Sequence, residues 1–128
     1  MSIKVRFTET PDGWLDTQTG LEWSKTLGEA SWNDAQLLIP EGWRLPTIVE
    51  LFSVVDHTRS SPAAELPDTQ SFFYWSSTTT QFERRGAWSQ GFGYGSVSYD
   101  SKANKYAVRA VRRRYEQLHY QHPELAPR

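Results

Sequence analysis

The chain has 128 residues, a formal net charge of −1, six tryptophans and no cysteine. A chain of this length forms one domain with a sizeable core, and none of its apolar runs approaches the roughly 20 residues that a membrane helix requires. The lack of cysteine excludes a disulfide framework and favours a reducing compartment. Because the first residues also lack the apolar segment of a signal peptide, we expect a cytoplasmic protein.

The first part of the chain predicts paired strands. Alternating apolar residues indicate a strand at residues 3–8, and the Pro-Asp-Gly sequence at 11–13 predicts a tight turn. Residues 14–23 predict a short ribbon around the Thr-Gly turn at 19–20. We expect the carboxylate of Asp16 to cap backbone N–H groups of that turn, which is a structural role.

Two helices are predicted next. Ser31 has the character of an N-cap for a first helix that ends near Leu38. Thr47 and Glu50 form a capping-box pattern for a second helix that ends near residues 56–57. Both segments have an apolar stripe at helical spacing. The residues expected on the buried stripes are Trp32, Ala35 and Ile39 in the first helix and Ile48, Leu51, Phe52 and Val55 in the second.

The second half predicts a loop followed by strands. Residues 58–69 are polar, contain two prolines and indicate a loop. Strands are expected at residues 72–78, 87–92, 95–99 and 106–112. The Gly-x-Gly-x-Gly run at 91–95 predicts a turn, because no helix follows it as a phosphate-binding loop would require. Helices early and strands late predict one α+β domain over residues 1–112, followed by a polar tail at 113–128.

The sequence offers little catalytic chemistry. It has no nucleophile-elbow pattern, and the Trp-Asn-Asp sequence at 32–34 supplies too few oxygens for calcium, which prefers six to eight. His119 and His122 have helical spacing but stand alone on the tail. We therefore expect no metal, no cofactor and no enzyme activity, with Asp56 and His57 as the residues to test if activity were found.

Charge is distributed unevenly along the chain. Residues 1–70 carry five basic and eleven acidic residues, a net −6, whereas residues 71–128 carry nine basic and four acidic residues, a net +5. Either the two halves interleave and neutralise each other, or the second half presents a basic face to an anionic partner. Complementary halves could also join protomers of a homo-oligomer. The basic run at 112–114 is too short for a nucleic-acid footprint.

Four short motifs carry a family resemblance. They are DTQTGLEW at 16–23, WRLP at 43–46, YWSST at 74–78 and VRAVR at 108–112. In this order, over most of the chain, they resemble the C-terminal domain family of the Legionella collagen-like adhesin, which is found in bacterial and phage proteins. The resemblance implies a C-type-lectin-like α+β fold. In that fold two helices pack on a small, twisted, mostly antiparallel sheet with long loops.

The motif residues themselves are expected to support the fold. Tryptophan rings would pin turns, and arginines beside them would pair with acids or carbonyl groups. The residues given this structural role are Asp16, Trp23, Trp43, Arg44, Trp75 and Arg109.

The resemblance also predicts where a ligand would bind. Late loops form the recognition surface of lectin-like domains, and in chain order they correspond to residues 78–86 and 94–106. Aromatic side chains there would supply contact area, and cations would anchor sulfate, carboxylate or an acidic protein surface. The candidate binding residues are Gln81, Phe82, Arg84, Arg85, Tyr94, Tyr99, Lys102 and Lys105.

Three functions remain open at this point. The first is a non-catalytic recognition module that binds a protein or an anionic glycan through the late loops. An inhibitor of a host complex, encoded by a phage or mobile element, would be a module of this kind. The second is a display protein diversified by a retroelement, which a template repeat beside the gene would reveal. The third is an enzyme of unknown class.

Overall fold

The computed structural model describes residues 5–113. Seven strands and two helices follow one another along this part of the chain: β1 (Phe7–Thr10), β2 (Gly13–Asp16), β3 (Leu21–Ala30), α1 (Trp32–Leu38), α2 (Ile48–Ser53), β4 (Phe73–Trp75), β5 (Gly86–Gly91), β6 (Val97–Ser101) and β7 (Tyr106–Arg113). Residues 1–4 and the predicted tail, with His119 and His122, lie outside the described residues.

All seven strands belong to one sheet in the order β1-β2-β3-β7-β4-β5-β6. Neighbouring strands are antiparallel, except that β4 and β7 are parallel and pair at Tyr74 and Ala107. The mostly antiparallel sheet and the two helices confirm the predicted α+β class. The last strand of the described residues, β7, lies at the centre of the sheet, so it joins the early strands to the late ones.

The predicted ribbon forms between β2 and β3, where Trp14 pairs with Trp23. The buried carboxylate of Asp16 accepts a hydrogen bond from the N–H of Gln18 (2.9 Å) and two from the Arg6 guanidinium (3.0 and 2.9 Å). Burial opposes ionisation of Asp16, but the hydrogen bonds from Arg6, Gln18 and Thr19 outweigh it and hold its pKa below the usual value.

Two early elements differ from the sequence prediction. The strand predicted at residues 3–8 is wrong in its bounds, because β1 begins only at Phe7 and Val5 is exposed outside it. Strand β3 extends to Ala30, over residues for which the sequence predicted no strand. Register shifts interrupt its pairing with β7. Such bulges break the alternation that predicts a strand.

Helix α1 begins at the predicted N-cap, where the Ser31 hydroxyl accepts a hydrogen bond from the N–H of Asp34. Ala35 is the residue of its predicted stripe that is fully buried, whereas Trp32 and Ile39 are half-buried. The capping box of α2 is confirmed, since the side chains of Thr47 and Glu50 bond reciprocally to backbone N–H groups.

The end and the buried face of α2 are corrected. The helix ends at Ser53 rather than near residues 56–57, because the N–H of Val54 bonds to the carbonyl groups of Leu51 and Phe52 and closes the last turn. Leu51 and Val54 are buried as a result, whereas Phe52, predicted to be buried, is 49% exposed.

The late strands are present with shifted bounds. Strand β4 ends at Trp75, before the predicted residue 78, because the next peptide groups bond to Trp88 and Pro46 and lead the chain into a loop. Strand β6 begins at Val97, later than predicted, because Gly95 has a φ of +91° in the turn before it.

The sheet has a hydrophobic core on each face, since alternate residues of a strand point to opposite sides. Tyr74 belongs to the core beneath α2, and Trp75 belongs to the core beneath α1. The first core includes Trp23, Leu51, Val54, Phe92 and Val111. The second includes Ala30, Ala35, Leu45, Ala87 and Val108.

The long segment 54–72 closes the first core without regular strands or helices. Arg109 of β7 holds it in place. The buried guanidinium donates to the carbonyl oxygens of Ser24 (2.6 Å) and Pro67 (2.6 Å) and to the hydroxyl of Thr69 (2.8 Å). Burial lowers the pKa of Arg109 to about 10, which is still well above neutral pH. The side chain is therefore a cation, and its hydrogen-bond partners belong to the fold.

Arg112 shows that the acidic and basic halves of the chain interleave. Its guanidinium donates to Glu22 (2.7 Å) and to Asp12 (3.0 Å), and it lies over the ring of Trp43 at 4.2 Å. Both carboxylates come from the acidic half, and Arg112 comes from the basic half. These ion pairs therefore neutralise part of the opposite charges of the two halves.

We predict that Asp16→Asn lowers the free energy of unfolding by about 3 kcal/mol, because it leaves the Arg6 guanidinium without its carboxylate. Urea denaturation measures this loss. Folding lowers the pKa of Asp16. The stabilisation by its ionised carboxylate is therefore complete above the pKa of Asp16 in the unfolded chain, about 4, and is lost as the pH falls through its pKa in the folded protein. The variant should therefore lose less stability in acid than the wild type does.

Glu29→Gln is the control for this prediction, because Glu29 is an exposed carboxylate on β3. It should retain the stability and the acid sensitivity of the wild type. Equal unfolding free energies for Asp16→Asn and the wild type would show that the Arg6 pair does not stabilise the ribbon.

Candidate functional site

The loop between β4 and β5 meets the chain that leaves β6. The N–H of Lys102 donates to the carbonyl oxygen of Arg85 (2.8 Å), and the carbonyl oxygen of Lys102 accepts from the N–H of Trp32 (2.9 Å). The start of α1 therefore supports both late segments. We call residues 79–86 and 101–105 together the late-loop surface.

Tyr99 fastens this surface to the sheet. Its hydroxyl donates to the carbonyl oxygen of Gly86 (2.9 Å) and contacts that of Glu83, while its ring packs edge-on against Trp88. A Cβ atom at residue 86 would lie 2.6 Å from the Tyr99 ring. The absence of a side chain at Gly86 thus lets the ring sit directly against the backbone.

Glu83 and Arg85 form a local ion pair on the loop. The guanidinium donates to both carboxylate oxygens at 3.1 Å, and the N–H of Arg85 donates to the same carboxylate at 2.8 Å. The Arg85 side chain and its N–H lower the pKa of Glu83 to about 2. Because the Arg85 side chain is 91% exposed, this pair orients the guanidinium while leaving it accessible.

Three further cations lie on the same two segments. Arg84 and Lys105 are exposed, and the ammonium group of Lys102 lies 4.4 Å from the ring centre of Trp32, a cation–π distance. With Glu83 and Asp100 as the acids nearby, four cations face two carboxylates. Positive charge therefore dominates the late-loop surface.

Hydroxyl groups from three residues hold the carboxylate of Asp100 in place. Ser98 donates at 2.9 Å, Ser89 at 3.0 Å and Tyr106 at 2.9 Å. Burial and the neighbouring Asp100 raise the pKa of Tyr106, which keeps that hydroxyl protonated as a donor.

An apolar side chain and a cleft complete the surface. Phe82 is 90% exposed, and Gln81 beside it is exposed as well. A cleft of about 350 Å³ lies next to them, with Arg85 and Tyr99 among the residues of its walls. The other lining residues are Glu83, Gly86, Asp100 and Ser101.

Tyr94 does not belong to this surface. It lies in the turn between β5 and β6, whereas Arg85 and Lys102 lie at the other end of that hairpin. Five residues of strand separate the two ends, a distance of about 17 Å. Tyr94 is 84% exposed beside a separate cleft of about 190 Å³ whose walls include Phe72 and Phe73.

Several residues of the surface were not among the sequence candidates. Glu83 could have been found from its spacing to Arg85, which places opposite charges on one short loop. Gly86 and Ser101 carried no comparable signal, because their importance depends on the pairing of β5 with β6. Trp32 was assigned to the buried stripe of α1, yet its indole donates to the carbonyl oxygen of Ser76 (2.9 Å) and supports Lys102.

The remaining structural candidates lie away from the late loops. Trp75 is buried and donates to the carbonyl oxygen of Ala30 (3.0 Å). Trp23 is also buried, and within the described residues its indole N–H has no hydrogen-bond partner. Arg44 donates to both carboxylate oxygens of Glu50 at 2.7 and 2.6 Å and so supports the start of α2.

The fold is an α+β domain with a central seven-stranded sheet and a basic loop surface at one end of its β5–β6 hairpin. The family model of the Lcl C-terminal domain matches residues 13–112, and the chain belongs to this adhesin-associated family, as its four motifs predicted. No curated protein matches the chain.

Residues 5–113 lack two kinds of feature. Neither helix in this range is long and apolar enough to cross a bilayer. Within the same range, no group of three or more His, Asp or Glu side chains is arranged to hold a metal ion.

We predict that Tyr99→Phe loosens the late-loop surface without unfolding the domain. Loss of the hydroxyl removes the bonds to Gly86 and Glu83, worth about 1 kcal/mol, so amide hydrogen exchange in residues 82–86 should quicken by about fivefold to tenfold. Tyr94→Phe is the matched control, because its hydroxyl lies on the other end of the hairpin. Unchanged exchange in Tyr99→Phe would show that this hydroxyl does not hold the loop.

Proposed function

We propose that this protein is a non-catalytic recognition module that binds an acidic protein surface through the late-loop surface. The observation that carries the proposal is the exposed Phe82 beside the accessible guanidiniums of Arg84 and Arg85. An aromatic anchor surrounded by arginines is the composition of an interaction hot spot.

The rigidity of the support favours binding of this kind. Tyr99, the Glu83–Arg85 pair and the Lys102–Trp32 contact fix the loop on the sheet before any partner arrives. A surface that is already ordered loses less conformational entropy on association. The lectin-like arrangement implied by the family, with loops projecting from a small sheet, is consistent with the same use.

A protein partner fits the surface better than a glycan does. A sulfated polysaccharide would engage the cations, but the C–H face of a sugar ring would cover only one side of Phe82, which is the most exposed large hydrophobic side chain of the described residues. A protein surface can offer both an acidic rim and an apolar pocket. We propose a reducing compartment for this encounter, because the chain has no cysteine.

The charge-reversed variant Arg84→Glu/Arg85→Glu tests the proposal. We expect it to lose capture of partners from a lysate of the native cell, while its melting temperature changes by less than about 2 °C, since both side chains are exposed. The control Arg59→Glu/Arg113→Glu changes the net charge equally at exposed arginines outside the late-loop surface. Equal loss of capture in both variants would attribute binding to net charge and not to this surface.

Phe82→Ala distinguishes the two kinds of ligand. It should weaken capture of a protein partner by at least about tenfold, the usual scale for an aromatic anchor. Heparin binding that is unaffected by Phe82→Ala but lost on reversal of Arg84 and Arg85 would instead identify an anionic glycan as the ligand.

A further inference from the structure

Among residues 5–113, strand β6 is an open edge of the sheet. It pairs with β5 alone, from Gly86 opposite Ser101 to Gln90 opposite Val97, in a one-to-one register. Natural sheets usually protect an edge with a bulge, a proline or an outward lysine. Within residues 97–101 the sequence VSYDS contains no proline or lysine, and the pairing contains no bulge.

The register shows which backbone groups face outward. The N–H of Gly91 donates to Ser96, and that of Lys102 donates to Arg85, so even-numbered residues of this stretch bond towards β5. In an antiparallel pair the intervening residues direct their N–H and C=O groups to the other side. The backbone groups of Val97, Tyr99 and Ser101 therefore point away from β5, to the outer side of β6.

Most of these outward groups are unused. Within the described residues, the carbonyl oxygen of Ser101 accepts from the N–H of Asn104 (3.0 Å), but no hydrogen bond satisfies the N–H and C=O groups of Val97 and Tyr99 or the N–H of Ser101. Val97 is itself 41% exposed. An extended chain laid along β6 could bond to all five groups.

The charges at one end of this edge specify what that chain would carry. Strand β6 ends beside Lys102, whose backbone is bonded to Arg85, and Arg84 is exposed next to it. The carboxylate of Asp100 lies on the same strand and accepts hydrogen bonds from three hydroxyl groups, but the cations at residues 84, 85 and 102 outnumber it. An added strand with an aspartate or glutamate at this end would complement the cations.

From this arrangement we infer that the partner adds an extended segment to β6, with an acidic residue of that segment bound by Lys102. The inference rests on the proposed function and makes it more specific. Backbone hydrogen bonds along Val97 and Tyr99 supply the affinity, and the acidic residue sets the register. Phe82 then contacts side chains of the same partner beyond the end of the strand.

The test uses a displayed library of random peptides of about nine residues, long enough to span β6. Selection on the immobilised protein should enrich peptides with an acidic residue near one end. Val97→Pro should weaken the enriched peptides by at least about tenfold, because it removes an outward N–H without removing a bond to β5. Val97→Thr keeps the N–H and the shape of the side chain, so binding should stay within about twofold of the wild type.

A second measurement does not depend on the folding of Val97→Pro. Enriched peptides that are N-methylated at alternate residues should lose binding in one methylation pattern and retain it in the other, since only alternate N–H groups of an added strand face β6. Failure to enrich any peptide, or equal binding of both methylated forms, would overturn strand addition.

Self-pairing is distinguished by analytical ultracentrifugation. A wild-type dimer that becomes a monomer in Val97→Pro would show that a second copy of the chain occupies the edge, which also overturns the inference. The proposed function is tested separately from strand addition. If reversal of Arg84 and Arg85 abolishes partner capture while no peptide is enriched, the late-loop surface binds its partner without strand addition.

Discussion

The buried guanidinium of Arg109 is the interaction on which the rest of the structure depends. It lies on the central strand, and it bonds to β3 on one side and to the long segment 54–72 on the other. A buried cation is costly unless its donors are satisfied. Three acceptors at short distance meet that requirement. Together with backbone bonds from Ser61 and Ala63 to Gly93 and Phe92, they hold an irregular segment over the first core.

The aromatic residues act in a similar way at the corners of the fold. The indoles of Trp75 and Trp32 donate to carbonyl oxygens far away in the sequence, at Ala30 and Ser76. Each ring thus buries apolar area and also satisfies a backbone group at the end of a strand. In a chain without disulfides, these contacts tie the start of α1 to the strands from which the late loops emerge.

This arrangement separates the residues that hold the fold from the exposed residues to which we assign recognition. The groups that hold the fold are buried and paired, whereas Phe82, Arg84 and Arg85 are exposed on a loop whose backbone is fixed by Tyr99. Changes at the exposed positions can alter binding with little effect on folding. The open edge of β6 adjoins the same loop, so side-chain and backbone recognition could act on one partner.

Local patterns in the sequence were enough for features whose partners are close along the chain. The capping box of Thr47 and Glu50, the N-cap at Ser31 and the Trp14–Trp23 ribbon form between near neighbours, and the family motifs predicted the family match. The extension of β3 to Ala30 could not be predicted, because its bulges break the alternation of the strand. The early end of α2 was missed because the bonds made by Val54 at its C-cap are not evident in the apolar spacing.

The sequence by itself determined the α+β class, the family and a basic, aromatic composition of the late loops. Tertiary structure alone decided which of those loop residues share a surface. Pairing of β5 with β6 brings Arg85 beside Lys102 and places Tyr94 at the opposite end of the hairpin. The physical reason is that a local pattern shows where a strand lies, whereas the register of its pairing depends on simultaneous contacts across the sheet.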